Sequence, residues 1–268
     1  MPPQKAPPYF DGLIAAFKAG QTGRHVHLGF WNAPPPLSAP CSPEEFAAAQ
    51  ARLADIIIDL ADIHDRQRVL DVGCGFGGTL AAIDACRDHM RLVGANIDQR
   101  QLEICRTIRA RPTNALIWLE ADACALPLRK DTFDRVICLE AMFHFRSRAD
   151  FLAGAAAALA PGGRLALTDI LVRLPGSRPP ADIAVIEETM RREYGPWPEL
   201  WIGLDQILEY ARCAGLTLDR AIDATAQTLP SYRITTPAEA PPLSAGSLMR
   251  WLHREGYLSY QLLAFSKP

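Results

Sequence analysis

A glycine-dense turn is the part of this sequence best suited to hold a ligand. Four of the six residues 73–78 are glycine, and they stand between an apolar run that ends near Asp71 and a helical pattern. Glycine has no Cβ, so the backbone can adopt positive φ angles and approach a bound molecule closely. The spacing of Gly73, Gly75 and Gly78 also matches the G-x-G-x-x-G pattern of dinucleotide-binding folds. The turn alone therefore predicts an adenosine-containing cofactor without deciding which one.

Polar side chains also follow the later strands of the predicted fold. In an open α/β sheet, ligands bind beyond the carboxyl ends of the strands, so the residues there are candidates for the site. These candidates are Asn96 and Ile97 after the second strand, Asp122 and Ala123 after the third, Glu140 and His144 after the fourth, and Asp169 at the end of the fifth. A histidine is the usual general base near neutral pH, and a carboxylate bonded to it would orient the ring and stabilise its cation. His144 and Asp169 are therefore the candidate base and its partner.

Strands and helical patterns alternate through the part of the chain that carries these residues. The predicted strands are 68–73, 91–96, 115–120, 134–139, 163–170, 216–222 and 258–265, and the predicted helices are 77–88, 98–110, 147–160, 180–194, 204–214 and 244–255. Alternation at this spacing is typical of a parallel sheet with helices on both faces. We therefore expect an α/β, doubly wound fold.

The flanking segments differ from this core in composition. We expect an N-terminal helical or lid segment at 1–64, a cofactor-binding core at 65–172, a cap insertion at 173–203 and a return to the core fold at 204–268. The motif Ser42-Pro43-Glu44-Glu45 predicts a helix that begins with a capping box.

An aromatic and titratable cluster precedes the core. His25 and His27 are two residues apart, as metal ligands in an extended segment can be, but no third ligand accompanies them, so we predict no metal site. Together with Trp31, they are expected to cover the pocket as part of a lid or to pack against the body of the protein.

Composition excludes several functional classes. The net charge is −2 and the basic residues are scattered, which argues against nucleic-acid binding. Hydrophobic residues make up 49% of the chain, which predicts a sizeable core. The seven cysteines form no C-x-x-C pair, as is usual in a reducing compartment. No secretion signal or membrane-spanning length of apolar residues is present, so we expect a cytoplasmic protein with a small-molecule substrate. The assembly state, including a homodimer, is left open.

Several short motifs, taken in order, resemble the class I S-adenosylmethionine-dependent methyltransferases, and especially the branch that methylates ubiquinone, tocopherol and natural products. The resemblance covers roughly residues 65–172. Its motifs are Leu70-Asp71-Val72-Gly73-Cys74-Gly75-Phe76-Gly77, Ala121-Asp122, Leu126-Pro127, Phe133-Asp134 and Pro161-Gly162-Gly163. It implies a Rossmann-like sheet of seven strands with the last strand antiparallel, and S-adenosylmethionine as the cofactor.

The resemblance also implies roles for individual residues around the cofactor. The backbone at Gly73, Gly75 and Gly77 would border its amino-acid part, and Asp71 would help to fix the loop. Asn96 and Ile97 would lie at the ribose, and Asp122 and Ala123 at the adenine. Glu140 would lie near the methionine end or the acceptor. Asn96 is a departure, because most members have an acid there and an amide lacks the strength of a charge-assisted bond. Asp98 is expected to cap the next helix.

Similar natural-product O-methyltransferases have a histidine and an aspartate at the places of His144 and Asp169. The resemblance therefore implies methyl transfer to oxygen with His144 as the general base. Transfer to the carbon of a quinone, phenol or prenyl-type acceptor is the alternative.

Two further alternatives differ in class. A dehydrogenase would have a ribose-binding acid about 20 residues after the glycine loop, a region where this chain has Asn96. A regulatory protein could keep the fold and bind the cofactor without catalysis.

Overall fold

A computed structural model describes residues 7–37, 39–173, 182–195, 197–236 and 239–268. The seven strands are β1 (Arg68–Val72), β2 (Arg91–Asn96), β3 (Ala115–Glu120), β4 (Phe133–Cys138), β5 (Leu159–Val172), β6 (Thr217–Asp223) and β7 (Leu258–Ser266). They form one sheet in the order β3-β2-β1-β4-β5-β7-β6. The first five strands are parallel, and β7 runs antiparallel to both of its neighbours. The predicted doubly wound, mostly parallel sheet is confirmed.

Helices cover both faces of this sheet. They are α1 (Phe10–Lys18), α2 (Pro43–Leu60), α3 (Gly78–Cys86), α4 (Gln99–Cys105), α5 (Arg148–Ala158), α6 (Ile183–Glu193), α7 (Leu204–Cys213), α8 (Thr225–Thr228), α9 (Tyr232–Thr235) and α10 (Ala245–Arg254). Two large apolar cores result, one between α2 and the sheet and one between α5, α7 and the opposite face. In the described part of the chain, no helix has the length and apolar character needed to cross a membrane.

The helix starts follow the predicted caps. The side chain of Ser42 accepts a hydrogen bond from the backbone N–H of Glu45 at 3.1 Å, and the Glu45 carboxylate accepts one from the Ser42 N–H at 2.8 Å. This reciprocal pair confirms the capping box at the start of α2. Asp98 is the N-cap of α4, because its side chain accepts a hydrogen bond from the backbone N–H of Arg100. Local side chains thus determine where these helices begin.

Two boundaries differ from the prediction by four residues or more. Helix α4 ends at Cys105 rather than near residue 110, because Arg24 and the Thr107 hydroxyl both donate to the carbonyl of Ile104. Strand β5 begins at Leu159, so the Pro161-Gly162-Gly163 motif lies inside the strand instead of before it. There the N–H of Gly162 bonds the carbonyl of Lys267, beyond the end of β7.

A buried ion pair joins the end of β5 to the start of α5. The Nε and Nη2 atoms of Arg148 lie 2.7 and 3.1 Å from the two carboxylate oxygens of Asp169. Neither side chain has any exposed surface. Arg148 also donates to the carbonyl of Glu199, and its own N–H donates to the Glu199 carboxylate. The pair therefore also attaches the segment that contains Glu199 to the core.

We predict that Arg148→Met destabilises the protein strongly, because the substitution leaves the Asp169 carboxyl group buried without its partner. The free energy of unfolding should fall by about 3–5 kcal/mol, measured by urea denaturation at neutral pH. Arg212→Met is the control, since Arg212 pairs with Glu209 on the surface and its loss should leave the midpoint nearly unchanged. Equal midpoints for the two variants would show that the buried pair does not hold this part of the fold.

Candidate active site

One pocket opens at the carboxyl ends of β1 to β4, where the sequence places the site. Of the predicted residues, nine line it, namely Asp71, Gly73, Gly75, Asn96, Ile97, Asp122, Ala123, Glu140 and His144. Gly77 and Asp169 lie outside the lining. Strand order explains this convergence, because β1 is flanked by β2 and β4, and β2 by β3.

The glycine turn leaves its backbone open to the pocket. Gly73, Gly75 and Gly77 all have positive φ angles. A Cβ on Gly73 would lie 2.3 Å from the Cβ of Ala141, in the turn after β4, so a side chain cannot fit there. Gly77 is the N-cap of α3 and does not line the pocket, and a Cβ there would lie 2.7 Å from the ring of Trp118. The turn therefore brings the backbone of two neighbouring loops together around an open space.

Asp71 places a buried carboxyl group at the base of this turn. Its side chain is 2% exposed. Desolvation by burial raises the pKa of Asp71 to about 7. A carboxyl group with this pKa is partly protonated at neutral pH, and a neighbouring cation would favour its ionised form.

Asn96 is held by residues that follow it. Its side-chain oxygen accepts a hydrogen bond from the N–H of Asp98 at 3.0 Å, and its amide donates to Gln101 at 3.1 Å. Gln101 also lines the pocket, a contribution that sequence reasoning missed. The only available signal was its position three residues after the helix cap, on the first turn of α4.

Asp122 lines the pocket, and its carboxylate has two hydrogen-bond partners. One carboxylate oxygen accepts from the N–H of Cys124 at 2.8 Å, and the other lies 2.9 Å from Nη1 of Arg146. These bonds orient the carboxylate, and each oxygen keeps a further lone pair that can accept a bond from a ligand.

Glu140 occupies a strained and half-buried position after β4. Its φ angle is 49°, which is uncommon for a residue with a side chain. The same carboxylate oxygen accepts from the N–H of Leu28 at 2.8 Å and from the Tyr260 hydroxyl at 2.7 Å. Burial raises the pKa of Glu140 to about 7, although both hydrogen bonds oppose that change. Glu140 therefore links the N-terminal segment and β7 to the wall of the pocket.

His144 stands at the pocket wall among aromatic rings. It is 7% exposed, and its Nε2 atom lies 3.0 Å from the hydroxyl of Tyr9. The centroids of its ring and that of Phe143 are 4.4 Å apart, and Phe143 stacks on Trp197 at 4.6 Å. Tyr9, which sequence reasoning missed, precedes α1 in a segment that showed no catalytic pattern.

The predicted pairing of His144 with Asp169 is wrong. Within the described part of the chain, the Asp169 carboxylate bonds Arg148 and the N–H of Ile170 instead. The two residues do follow neighbouring strands. However, Arg148 begins the helix between them and carries a cation, so it takes the carboxylate that the sequence assigned to the imidazole.

The N-terminal segment passes over the glycine turn. Arg24 donates to the carbonyl of Phe76, in the turn, and a Cβ on Gly78 would lie 2.7 Å from Nδ1 of His25. His25 and His27 both line the pocket. The segment thus packs against the glycine turn and contributes to the lining of the pocket.

The two histidines of this segment bond each other. Nδ1 of His27 lies 2.7 Å from the carbonyl of Leu28, which can only accept. Desolvation lowers the pKa of His27 to about 3, so the ring is neutral and its Nε2 must accept from Nδ1 of His25 at 3.1 Å. Among the residues that the structure describes, no three His, Cys, Asp or Glu side chains are grouped as metal ligands.

Comparison with known proteins identifies the family. Residues 70–167 match the family model described as a methyltransferase domain. The chain is 32% identical over 232 residues to the methyltransferase GfsG of Streptomyces halstedii, covering 86% of this chain and 79% of that protein. It is also 32% identical over 212 residues to the 27-O-demethylrifamycin SV methyltransferase of Amycolatopsis mediterranei, covering 78% of this chain and 73% of the relative.

A solved structure shares the fold. The geranyl diphosphate C-methyltransferase of Streptomyces coelicolor A3(2), in complex with Mg²⁺, geranyl-S-thiolodiphosphate and S-adenosyl-L-homocysteine, superposes with a TM-score of 0.74. The match has 16% sequence identity and covers 91% of this chain and 88% of that chain. With its sheet order, glycine turn and close relatives, the chain belongs to the class I S-adenosylmethionine-dependent methyltransferases of the natural-product type.

Proposed function

We propose that this enzyme transfers a methyl group from S-adenosylmethionine to a hydroxyl oxygen of a small, partly apolar natural product, with His144 as the general base. The observation that carries the proposal is the position of His144, buried in the pocket with Nε2 bonded to a hydroxyl group. An imidazole in that position has the geometry needed to take a proton from an acceptor hydroxyl.

The chain's own residues fit the cofactor. The glycines at 73 and 75 let the turn pack closely against Ala141 and Val26, and the backbone of the turn, which lines the pocket, would border the amino-acid part. Asn96, with Ile97 and Gln101, would lie at the ribose, and Asp122, with Ala123, at the adenine. When bound, S-adenosylmethionine supplies a methyl group that is already activated as a sulfonium.

Charge distribution supports this assignment. Asp71 is buried and Glu140 is half-buried at the glycine end of the pocket, and desolvation raises the pKa of each carboxyl group to about 7. His27 beside them is neutral, because burial lowers its pKa to about 3. A pocket with ionisable acids and a neutral imidazole favours a ligand that carries positive charge.

The remaining task of the protein is to orient the acceptor and exclude water. Alignment and desolvation lower the barrier of such a transfer by several kcal/mol. Phe143 and Trp197 form an apolar wall beside His144 that suits this task. Oxygen is favoured as the acceptor atom because one relative is named for an O-demethylated antibiotic and because an oxygen nucleophile needs a base. Transfer to carbon is the alternative, since a structural neighbour is a C-methyltransferase.

Replacing His144 tests the role of the base. Natural products with free hydroxyl groups, among them 27-O-demethylrifamycin SV, are incubated with enzyme and S-adenosylmethionine, and the methylated products are identified by mass spectrometry and NMR. We expect methyl ethers from the wild type. His144→Ala should lower kcat about 10²–10⁴-fold, because the acceptor proton then has no positioned base.

His64→Ala is the matched control, because His64 is an exposed histidine that pairs with Asp62 on the surface. Affinity for S-adenosylhomocysteine, measured by calorimetry, should stay the same in both variants. Full turnover by His144→Ala would remove the base from this mechanism. C-methylated products would assign the enzyme to the alternative.

A second prediction concerns protons released when the cofactor binds. Below pH 7, Asp71 and Glu140 are largely protonated in the free enzyme, since each pKa is about 7. The positive charge of S-adenosylmethionine favours their ionised forms and lowers both pKa values, so binding releases protons. Affinity should therefore increase as pH rises from about 6 to 7, by up to about tenfold per pH unit for each group that ionises, and level off above pH 8.

Calorimetry at pH 6.5 in two buffers with different heats of ionisation measures the number of protons released. Asp71→Asn should reduce that number, because it removes one of the two groups. Binding with no proton exchange at this pH would contradict the assignment of the carboxyl groups to the cofactor cation.

A further inference from the structure

We propose that the methyl acceptor is a flat ring that bears a hydroxyl, a phenol or an enol, and that its oxygen binds where the hydroxyl of Tyr9 lies in this structure. The proposal rests on the proposed function, because it assigns the acceptor of the same site. In this structure the side chain of Tyr9 occupies the place of the acceptor, and the acceptor displaces it on binding.

The first argument is that Nε2 of His144 has room for one hydroxyl. The Tyr9 hydroxyl lies 3.0 Å from this atom. A neutral imidazole offers one lone pair at its unprotonated nitrogen, in the plane of the ring. Burial raises the pKa of Tyr9 well above its ordinary value, so the phenol keeps its proton and donates it to Nε2 when that atom is the base. An acceptor hydroxyl that gives its proton to Nε2 must therefore take this place.

The second argument is the shape and chemistry of the space around the Tyr9 ring. Phe10 stacks on the ring with centroids 4.5 Å apart, and Tyr194 meets it edge-on at 5.5 Å and 89°. Phe143 and Trp197 continue the aromatic wall beside His144. Aromatic rings prefer these stacked and edge-to-face arrangements with other flat rings. The surroundings of the Tyr9 ring are therefore complementary to a phenol, because they already hold the phenol ring of Tyr9.

The third argument is that a phenol in the place of Tyr9 restores the ring contacts and the hydrogen bond that the tyrosine gives up. Tyr9 precedes α1, whose first turn is tied to the core by an ion pair between Asp11 and Arg100. Both side chains of that pair are at least half exposed, and such pairs contribute little to stability. The apolar residues of α1, from Phe10 onward, pack against Phe76, so the displacement is confined to Tyr9 and the chain before it.

With a phenol or an enol as the acceptor, the bonds broken and formed in the transfer balance. The O–H bond of the acceptor breaks and its proton passes to Nε2 of His144. An oxygen lone pair forms the new O–CH₃ bond, and the methyl–sulfur bond breaks with its electron pair returning to sulfur. The products are an aryl or enol methyl ether, S-adenosylhomocysteine and a protonated His144, which then releases its proton to solvent.

The test replaces Tyr9 by a free phenol. Tyr9→Gly leaves a cavity of the size of p-cresol, which is the tyrosine side chain from Cβ outward. We expect p-cresol to bind Tyr9→Gly in the presence of S-adenosylhomocysteine, measured by calorimetry, at least tenfold more tightly than the wild type. With S-adenosylmethionine, the variant should convert p-cresol to 4-methylanisole, and addition of His144→Ala should lower that rate at least 10²-fold.

Tyr194→Ala is the matched control, because it opens a cavity of similar size beside the Tyr9 ring and leaves the bond to His144 in place. It should yield no 4-methylanisole. Thermal unfolding and S-adenosylhomocysteine binding establish that each variant is folded. If Tyr9→Gly is not folded, Tyr9→Ala is tested with phenol, which matches its smaller cavity.

The outcomes separate this inference from the proposed function. A folded Tyr9 variant that binds no p-cresol, or binds it without methylation, overturns the assignment of the acceptor place. If the wild type at the same time forms methyl ethers that depend on His144, the proposed function stands. Failure of the wild type to bind S-adenosylmethionine would instead overturn both.

Discussion

The site depends on the close approach of two loops at the carboxyl ends of β1 and β4. A Cβ on Gly73 would lie 2.3 Å from the Cβ of Ala141, so the two loops can meet only because residue 73 is glycine. This contact places Asp71 on one side and Glu140 on the other; Asp71 is buried and Glu140 is half-buried. Glu140 has its positive φ angle in the turn that makes this contact.

Burial at this contact determines the electrostatics of the pocket. Burial disfavours the ionised forms of Asp71 and Glu140, and the pKa of each rises to about 7. Burial acts on His27 in the opposite direction, since it disfavours a cationic ring. Both effects reduce the charge of the pocket near neutral pH.

The pocket wall around His144 is built from elements that lie far apart in the chain. Tyr9 precedes α1, His144 follows β4, and Trp197 belongs to the segment before α7. A second chain of contacts runs from Leu28 through Glu140 to Tyr260, so the N-terminal segment and the last strand hold the same carboxylate. Strand ends and the glycine turn thus form one part of the pocket wall, and less regular segments form the part around His144.

The sequence by itself determined the sheet, the helix starts and the glycine turn, because each depends on local signals. Alternating apolar patterns, the Ser42 capping box and the positive φ angles of the glycine turn all act over a few residues. Tertiary structure alone decided which side chains meet. Tyr9 lies 135 residues before His144, and Arg148 rather than His144 received the carboxylate of Asp169, because a buried cation is the stronger partner for a buried anion. Periodicity predicts which face of an element is buried. It does not predict which distant side chain packs against that face, and the chemistry of the site depends on those long-range contacts.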